Sequence, residues 1–186
     1  MKIHIIRHTT PAIAEGICYG QTDLDLADSF EAEKEIIHNK LQMPYDVVIT
    51  SPLQRCSKLA NTIDTAEYRV DERLMEYNFG DWEMRPWAEF KSDADQQWMD
   101  NFVDIAAPNG DSIVSMRERV LQFWDELLQR PFSKVALVSH SGVQRLIHAN
   151  VLETPLNRLF RLQLDYGAVM EVEHDRDSQM TTIKHL

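Results

Sequence analysis

The chain contains only two cysteines in 186 residues, Cys18 and Cys56. Neither belongs to a Cys-X-X-Cys pair or to a cluster of histidines and cysteines of the kind that binds zinc. A chain of this length can bury a substantial core without disulfide bonds. We therefore predict two reduced thiols and no metal site, as is typical of a reducing compartment.

Long apolar segments are missing as well. The stretch 1–10 is too short and too often interrupted by polar residues to resemble a signal peptide. No run approaches the roughly 20 residues that a transmembrane helix needs. From these absences we expect a cytoplasmic protein with no membrane partner.

Basic residues are scarce, with 19 Lys and Arg against 30 Asp and Glu, for a formal net charge of -11. This excess of negative charge argues against nucleic acid or an anionic membrane surface as a partner. A site for an anionic ligand would therefore have to concentrate the few basic residues in one pocket, because the overall field repels anions.

Short apolar runs alternate with amphipathic segments along the chain. The runs at 2–6, 47–49 and 135–138 predict buried strands. Helical spacing predicts helices at 29–41, from Pro52 to Ile63, at 112–130 and from Val143 to Val151. Two late strands are predicted at 168–172 and 180–184. This alternation predicts an α/β fold, a three-layer α/β/α sandwich with a mainly parallel sheet, and the lack of repeats or linkers predicts one domain over 1–186.

Polar clusters directly follow the three buried strands: Arg7-His8, Ser51 to Arg55, and His140. Ligands of open parallel sheets bind beyond the carboxyl ends of the strands, so we expect these side chains to converge. Arginine presents a fork of donors that suits phosphate or carboxylate. A histidine that is neutral near pH 7 can attack a phosphoryl group or donate to it. No carboxylate pair is present to hold magnesium, so the arginines would have to neutralise the charge.

Four segments, in this order along the chain, resemble the motifs of the histidine phosphatase superfamily. Arg7-His8-Thr9 resembles its Arg-His-Gly signature, and 51–55 is similar to its second, phosphate-binding motif. The stretch 73–83 resembles the block that holds the proton donor, and 138–142 resembles the last motif with its second histidine. Four motifs in order are far more specific than any one of them.

The resemblance implies a phosphomonoester hydrolase that acts through a phosphohistidine. His8 would be the catalytic nucleophile, and Glu76 would protonate the leaving oxygen and later activate water. The phosphate-binding side chains would be Arg7, Arg55 and His140. The resemblance implies no metal and no cofactor, and the expected partner is a small phosphomonoester.

Within the superfamily, the segments 16–22 and 79–84 are similar to the alpha-ribazole phosphatases, which act in the assembly of the cobalamin nucleotide loop. The sequence departs from the family pattern at Thr9-Thr10, where Gly-Glu is commoner, and at Ala14, where the family has an asparagine. We expect Gln21 to supply the substrate contact that Ala14 cannot make.

The segment 81–110 contains three of the four tryptophans, Trp82, Trp87 and Trp98, and seven acidic residues against Arg85 and Lys91. We predict a cap over the pocket, with Trp82 as a flat wall for the leaving group. The acidic residues would disfavour a second anionic group, which favours a phosphatase over a mutase and a leaving group that is flat and uncharged or cationic. The alternative is that each tryptophan only packs between helices.

Simpler interpretations compete with these roles. His8 alone is typical of a strand end, Arg55 alone of a helix surface, and Glu76 alone of a helix-surface pair with Arg73. Alternative functions are a broad-specificity phosphatase, a phosphoglycerate mutase-like enzyme or a non-catalytic phosphate-binding module, although a module needs no proton donor.

The sequence predicts neither the physiological substrate nor the oligomeric state. The remaining histidines are expected to be structural: His4, His38, His148, His174 and His185.

Overall fold

A computed structural model describes all residues 1–186. Its strands are β1 (Lys2–Arg7), β2 (Val47–Thr50), β3 (Tyr68–Val70), β4 (Lys134–Ser139), β5 (Val169–His174) and β6 (Thr181–His185). Its helices are α1 (Phe30–His38), α2 (Gln54–Ala60), α3 (Asp93–Asn101), α4 (Ile113–Leu128) and α5 (Ser141–Val151). Short 3-10 turns occur at Glu72–Leu74, Gly80–Trp82, Trp87–Glu89 and Leu156–Arg161. None of the helices combines the length and the apolar character needed to cross a membrane.

The six strands form one sheet in the order β3-β2-β4-β1-β5-β6. The first four are parallel to one another, β5 pairs antiparallel with β1, and β6 pairs antiparallel with β5. The predicted α/β fold with a mainly parallel sheet is thus confirmed. The sequence analysis missed β3, because this edge strand has only three residues and the side chains at both of its ends are exposed.

The alternation of side chains along each strand divides the core between the two faces of the sheet. Ile3 and Ile5 pack on one face with the larger apolar cluster, which includes α4 and α5. Ile6 points to the opposite face and joins a smaller cluster formed with α1 and α2. Helices therefore cover both faces, which confirms the predicted three layers.

Helix α4 follows its predicted pattern, and Ser112 caps it in a reciprocal capping box with Ser115. Helix α2 is shorter than predicted. The N–H groups of Thr62 and Ile63 bond to carbonyls three residues back rather than four, so the chain leaves the α-helix in a tighter turn that still buries Ile63. Both cysteines are buried, and they form no disulfide bond with each other.

Candidate active site

The strands β2, β4 and β1 are neighbours in the sheet, so the polar residues after their carboxyl ends meet at one edge. The rings of His8 and His140 lie 5.1 Å apart between centroids. The Nε of Arg55 lies 3.3 Å from Nε2 of His8. The predicted convergence of the three clusters is therefore what the structure shows. A cavity of about 270 Å³ opens beside His8.

The buried imidazole of His8 is oriented by its own backbone neighbour. Its Nδ1 lies 2.6 Å from the carbonyl oxygen of Thr9, and a carbonyl can only accept, so Nδ1 carries the proton. Burial lowers the pKa of His8 well below its usual value, and Arg55 and Arg7 lower it further, against the opposing hydrogen bond to Thr9. His8 is therefore neutral at pH 7, with the lone pair on Nε2 facing Arg55.

Arg55 is completely buried at the start of α2. Its Nη1 donates to the carbonyl of Thr22 at 2.8 Å, and its Nη2 donates to the carbonyl of Gly20 at 2.5 Å. A guanidinium has five N–H donors, and these two bonds with the contact to His8 use three of them. Two donors are left for a ligand beside the nucleophile.

Arg7 stands at the end of β1 and lines the cavity. Its Nη1 donates to the carbonyl of Leu164 at 2.5 Å, and its guanidinium lies 3.9 Å from the centre of the Tyr166 ring. Its Nε is buried and has no hydrogen-bond partner. An unpartnered buried donor next to a neutral imidazole is suited to an oxyanion.

His140 is also completely buried, directly after β4. Its Nε2 lies 2.8 Å from Oγ of Ser51, at the end of β2. Burial lowers the pKa of His140 well below its usual value, and the charge of Arg55 acts in the same direction. Ser51 belongs to the predicted second motif, but its contact with His140 becomes visible only when the strand ends are brought together.

Glu76 lies in the loop after a 3-10 turn and faces the N-terminus of α5. Its Oε2 accepts from the backbone N–H of Gly142 at 3.1 Å and from Oγ of Ser141 at 3.3 Å. Its Oε1 accepts from the N–H of Tyr77 at 2.9 Å. A Cβ at position 142 would lie 2.1 Å from Oε1, so a larger residue there would displace this carboxylate from its present position. Arg119 of α4 supports the loop from behind by donating to the carbonyl of Glu76 at 2.8 Å.

The simpler interpretations of these residues do not match the structure. Arg55 is buried rather than on a helix surface, and Glu76 is not in a helix. Arg73 pairs instead with Asp71 and Glu126. The expected structural role of His4 does match, because its buried ring bonds to Tyr45 and Glu171.

The cavity beside His8 has a largely aromatic wall. Two tyrosines stand together there, with the Tyr19 hydroxyl 2.6 Å from the Tyr166 hydroxyl. Of the aromatic wall, the sequence analysis named Trp98, while Tyr19, Tyr77 and Phe79 lie in the motif-like segments 16–22 and 73–83. The remaining three, Phe102, Phe160 and Tyr166, belong to no motif and lie in irregular segments. The aromatic side chains of the wall are Tyr19, Tyr77, Phe79, Trp98, Phe102, Phe160 and Tyr166.

Two predicted substrate contacts need correction. Trp82 is only 4% exposed and packs 5.0 Å behind Trp98, between ring centroids, so it does not line the cavity. Gln21 does not line it either, since its Nε2 donates to the backbone carbonyl of Glu76 at 3.0 Å. Trp98 occupies the wall position that was predicted for Trp82, and Gln21 supports Glu76.

The expectation that the acidic residues of 81–110 face the pocket is also wrong. None of the seven acidic residues in 81–110 lines the cavity, and most of them are exposed. The charged residues that do line it are Arg7, Glu76 and Arg145. Arg145 donates from Nε to the carbonyl of Leu162 at 3.1 Å and forms no ion pair. The charge argument against a second anionic group therefore does not hold.

Comparison with known proteins agrees with the geometry. The model of the histidine phosphatase superfamily (branch 1) matches residues 3–184, and the chain belongs to this superfamily. An adenosylcobalamin/alpha-ribazole phosphatase of Salmonella typhimurium is 28% identical over 179 residues, 90% of this chain and 87% of the relative. A phosphoserine phosphatase 1 of Hydrogenobacter thermophilus is 23% identical over 188 residues, 95% of this chain and 89% of the relative.

The fold has close counterparts among solved structures. The alpha-ribazole phosphatase of Shigella flexneri superposes with a TM-score of 0.87 at 22% identity, over 100% of this chain and 96% of the other. At this identity the likeness establishes the fold, while the superfamily assignment rests on the family match.

Proposed function

We propose that this protein hydrolyses phosphomonoesters through a phosphohistidine formed on Nε2 of His8. The observation that carries the proposal is a neutral, buried imidazole whose unprotonated Nε2 accepts from Arg55 Nε at 3.3 Å, with the carboxylate of Glu76 in the same cavity. Membership of the superfamily supports it. A site that only bound phosphate would need neither a deprotonated nucleophile nor a carboxylate next to it.

In the first step, Nε2 forms a bond to phosphorus as the bond from phosphorus to the ester oxygen breaks. Glu76, in its protonated form, transfers its proton to that oxygen, and the alcohol leaves. In the second step, the Glu76 carboxylate takes a proton from water, the water oxygen bonds to phosphorus, and the N–P bond breaks. Arg7, Arg55 and His140 stabilise the phosphoryl oxygens in both steps.

The covalent step is tested by trapping the intermediate. Rapid acid-free quenching with a ³²P-labelled substrate should leave base-stable, acid-labile label on the wild-type chain and none on His8→Ala. A His8→Ala variant that still turns over at a substantial rate would remove His8 from the nucleophile role. A folded wild-type protein that binds phosphate but never turns over would favour the non-catalytic module.

We further propose that hydrolysis needs no divalent metal. The phosphate-facing groups are arginines and histidines, whose charge and hydrogen bonds can stabilise the transition state directly. Activity should remain unchanged after exhaustive chelation with EDTA. If chelation abolished activity and magnesium or zinc restored it, this part of the proposal would be wrong.

For the substrate, we propose alpha-ribazole phosphate as the leading candidate. The aromatic wall offers flat surfaces for an aromatic leaving group, and the relatives with this activity cover most of the chain. The test is kcat/KM for alpha-ribazole phosphate against ribose 5-phosphate. A gain of ten-fold or more, about 1.4 kcal/mol, is expected. Trp98→Ala should reduce this gain, whereas Trp82→Ala should lower stability and leave the ratio nearly unchanged.

Arg145 favours a second candidate, a phosphomonoester whose leaving group carries a carboxylate. Its guanidinium lines the cavity without a carboxylate partner, and some relatives are named as phosphoserine phosphatases. The comparison is kcat/KM for phosphoserine and 3-phosphoglycerate against ribose 5-phosphate in wild type and Arg145→Gln. A selective loss for the two acidic substrates in Arg145→Gln would support this candidate over alpha-ribazole phosphate.

A further inference from the structure

Glu83 is a half-buried carboxylate that lies outside the cavity and has no basic partner. Its Oε1 accepts from the N–H groups of Gln21 at 2.8 Å and Phe79 at 3.1 Å. Its Oε2 accepts from the N–H of Thr22 at 2.5 Å and from the Thr22 hydroxyl. Burial raises the pKa of Glu83, but these hydrogen bonds outweigh burial and hold the pKa below its usual value.

The turn that Glu83 holds is the one that positions Arg55. The carbonyls of Gly20 and Thr22 accept from the two end nitrogens of Arg55, whose Nε contacts His8. The same turn lies directly against the segment that follows Glu76. A Cβ on Gly20 would lie only 1.9 Å from the carbonyl oxygen of Tyr77.

We propose that Glu83 is a positioning residue for phosphoryl transfer, because its carboxylate fixes the turn whose carbonyls hold Arg55 against His8. This inference rests on the proposed function of the site. Glu83 itself contacts neither His8 nor the cavity, so its effect reaches the reaction only through the turn. Through this turn, Glu83 controls the geometry with which Arg55 binds phosphate.

The hydrogen-bond pattern explains why a carboxylate is required at this position. Each of its two oxygens faces two donors, so an isosteric amide would place its NH₂ group against N–H or O–H donors whichever way it turned. In the better orientation, with NH₂ toward Thr22, the Thr22 hydroxyl can turn to accept, but the Thr22 N–H loses its acceptor and faces another donor. Glu83→Asp keeps both oxygens, although its shorter side chain reaches the turn less well.

The experiment compares wild type, Glu83→Gln, Glu83→Asp and the control Glu89→Gln, an exposed acid of the same segment. For each variant, the dissociation constant of orthovanadate and kcat/KM for an aryl and an alkyl phosphate are measured. Glu83→Gln should weaken orthovanadate binding and lower kcat/KM by ten-fold or more. The loss should appear for the aryl ester as well as for the alkyl ester, because Arg55 acts on the phosphoryl group that both substrates share. Glu83→Asp should recover part of it, and Glu89→Gln should match wild type.

The variants are expected to fold, because two backbone hydrogen bonds join the segments around Cys18 and Glu83 without the Glu83 side chain. The N–H of Cys18 donates to the carbonyl of Arg85, and the N–H of Met84 donates to the carbonyl of Cys18. If Glu83→Gln nevertheless fails to fold, Thr22→Val, which removes one hydroxyl contact, should show a smaller loss of the same kind. Unchanged orthovanadate affinity and kcat/KM in the folded variants would overturn the proposal, as would a loss confined to the alkyl ester. Failure of the proposed function would show separately, as a wild-type chain without turnover.

Discussion

At the scale of single residues, the proposed mechanism gives His8 and Glu76 different tasks. His8 needs a free lone pair, and its burial beside Arg55 and Arg7 disfavours the imidazolium. In the proposed mechanism Glu76 exchanges a proton. Its carboxylate is oriented by the N–H of Gly142 at the start of α5 and by the N–H of Tyr77, and it faces the cavity. The two residues lie 68 positions apart and have unrelated local structure, so their pairing is a property of the folded site.

Replacement of Glu76 should show which step it serves. Glu76→Gln keeps the shape and loses the proton, so hydrolysis of alkyl phosphates should fall about a hundred- to ten-thousand-fold. Aryl phosphates should lose much less, because a phenolate leaves with little help from an acid. The measurement is the dependence of kcat on leaving-group pKa in wild type and variant. Equal losses for aryl and alkyl esters would reassign the proton donor.

The lowered pKa of His8 also predicts a dependence of stability on pH. The unfolded chain protonates this histidine below about pH 6.5, whereas the folded protein does not, so the free energy of unfolding should fall as the pH drops below that value. At pH 5.5 the loss from His8 should be about 1 kcal/mol relative to pH 7.5. Urea unfolding at both pH values measures it. His8→Asn should lose less stability on acidification than wild type does, and an identical loss would contradict the neutral state.

At the scale of elements, the start of α5 performs two tasks, and the second of them requires a small residue. It follows β4 directly, which places His140 at the sheet edge, and its first N–H groups receive the Glu76 carboxylate. Helix N-termini favour negative charge for this reason. Gly142 is needed because any side chain there would occupy the space of that carboxylate.

Gly142→Ala should therefore reduce activity more than stability. The added methyl group displaces Glu76, so kcat for an alkyl phosphate should fall by at least ten-fold, while Ala itself favours the helix by roughly 1 kcal/mol over Gly. Steady-state kinetics and thermal unfolding measure the two effects. Ser141→Ala is the matched comparison, because it removes only the 3.3 Å contact and should cost less activity. A Gly142→Ala enzyme with wild-type kcat would show that Glu76 has room to adjust.

At the scale of the whole molecule, the proposed phosphate site exists only when β1, β2 and β4 are assembled side by side. An oxyanion that binds this site should therefore stabilise the folded chain and not the unfolded one. At 100 times its dissociation constant, orthovanadate should add about 2.7 kcal/mol, which raises Tm by roughly 5 to 11 °C for a chain of this size. Differential scanning calorimetry measures the shift. Arg55→Met should abolish most of it, and a full shift in that variant would place the anion elsewhere.

The sequence by itself determined the order of most strands and helices along the chain, without β3 and α3, and the polar residues that follow the buried strands. Apolar runs and helical spacing are local patterns, so the strands at 2–6, 47–49 and 135–138 and the helix at 112–130 were predictable. The family motifs add His8, Arg55, Glu76 and His140. Three of these, His8, Arg55 and His140, follow the ends of adjacent parallel strands and have little freedom to diverge, whereas Glu76 lies in a loop and only its motif indicated it.

Only the tertiary structure decided which side chains face the cavity. Trp82 and Trp98 both lie in the segment 81–110, but 3-10 turns and loops have no periodicity that would show which ring is covered by the other. Arg145 comes to the cavity because the 3-10 turn Leu156–Arg161 packs against α5. The position of Glu83 beneath the turn that holds Arg55 is likewise set by a contact across about 60 residues of chain. Such contacts depend on how irregular segments fold back onto the sheet edge, and no short-range pattern in the sequence encodes them.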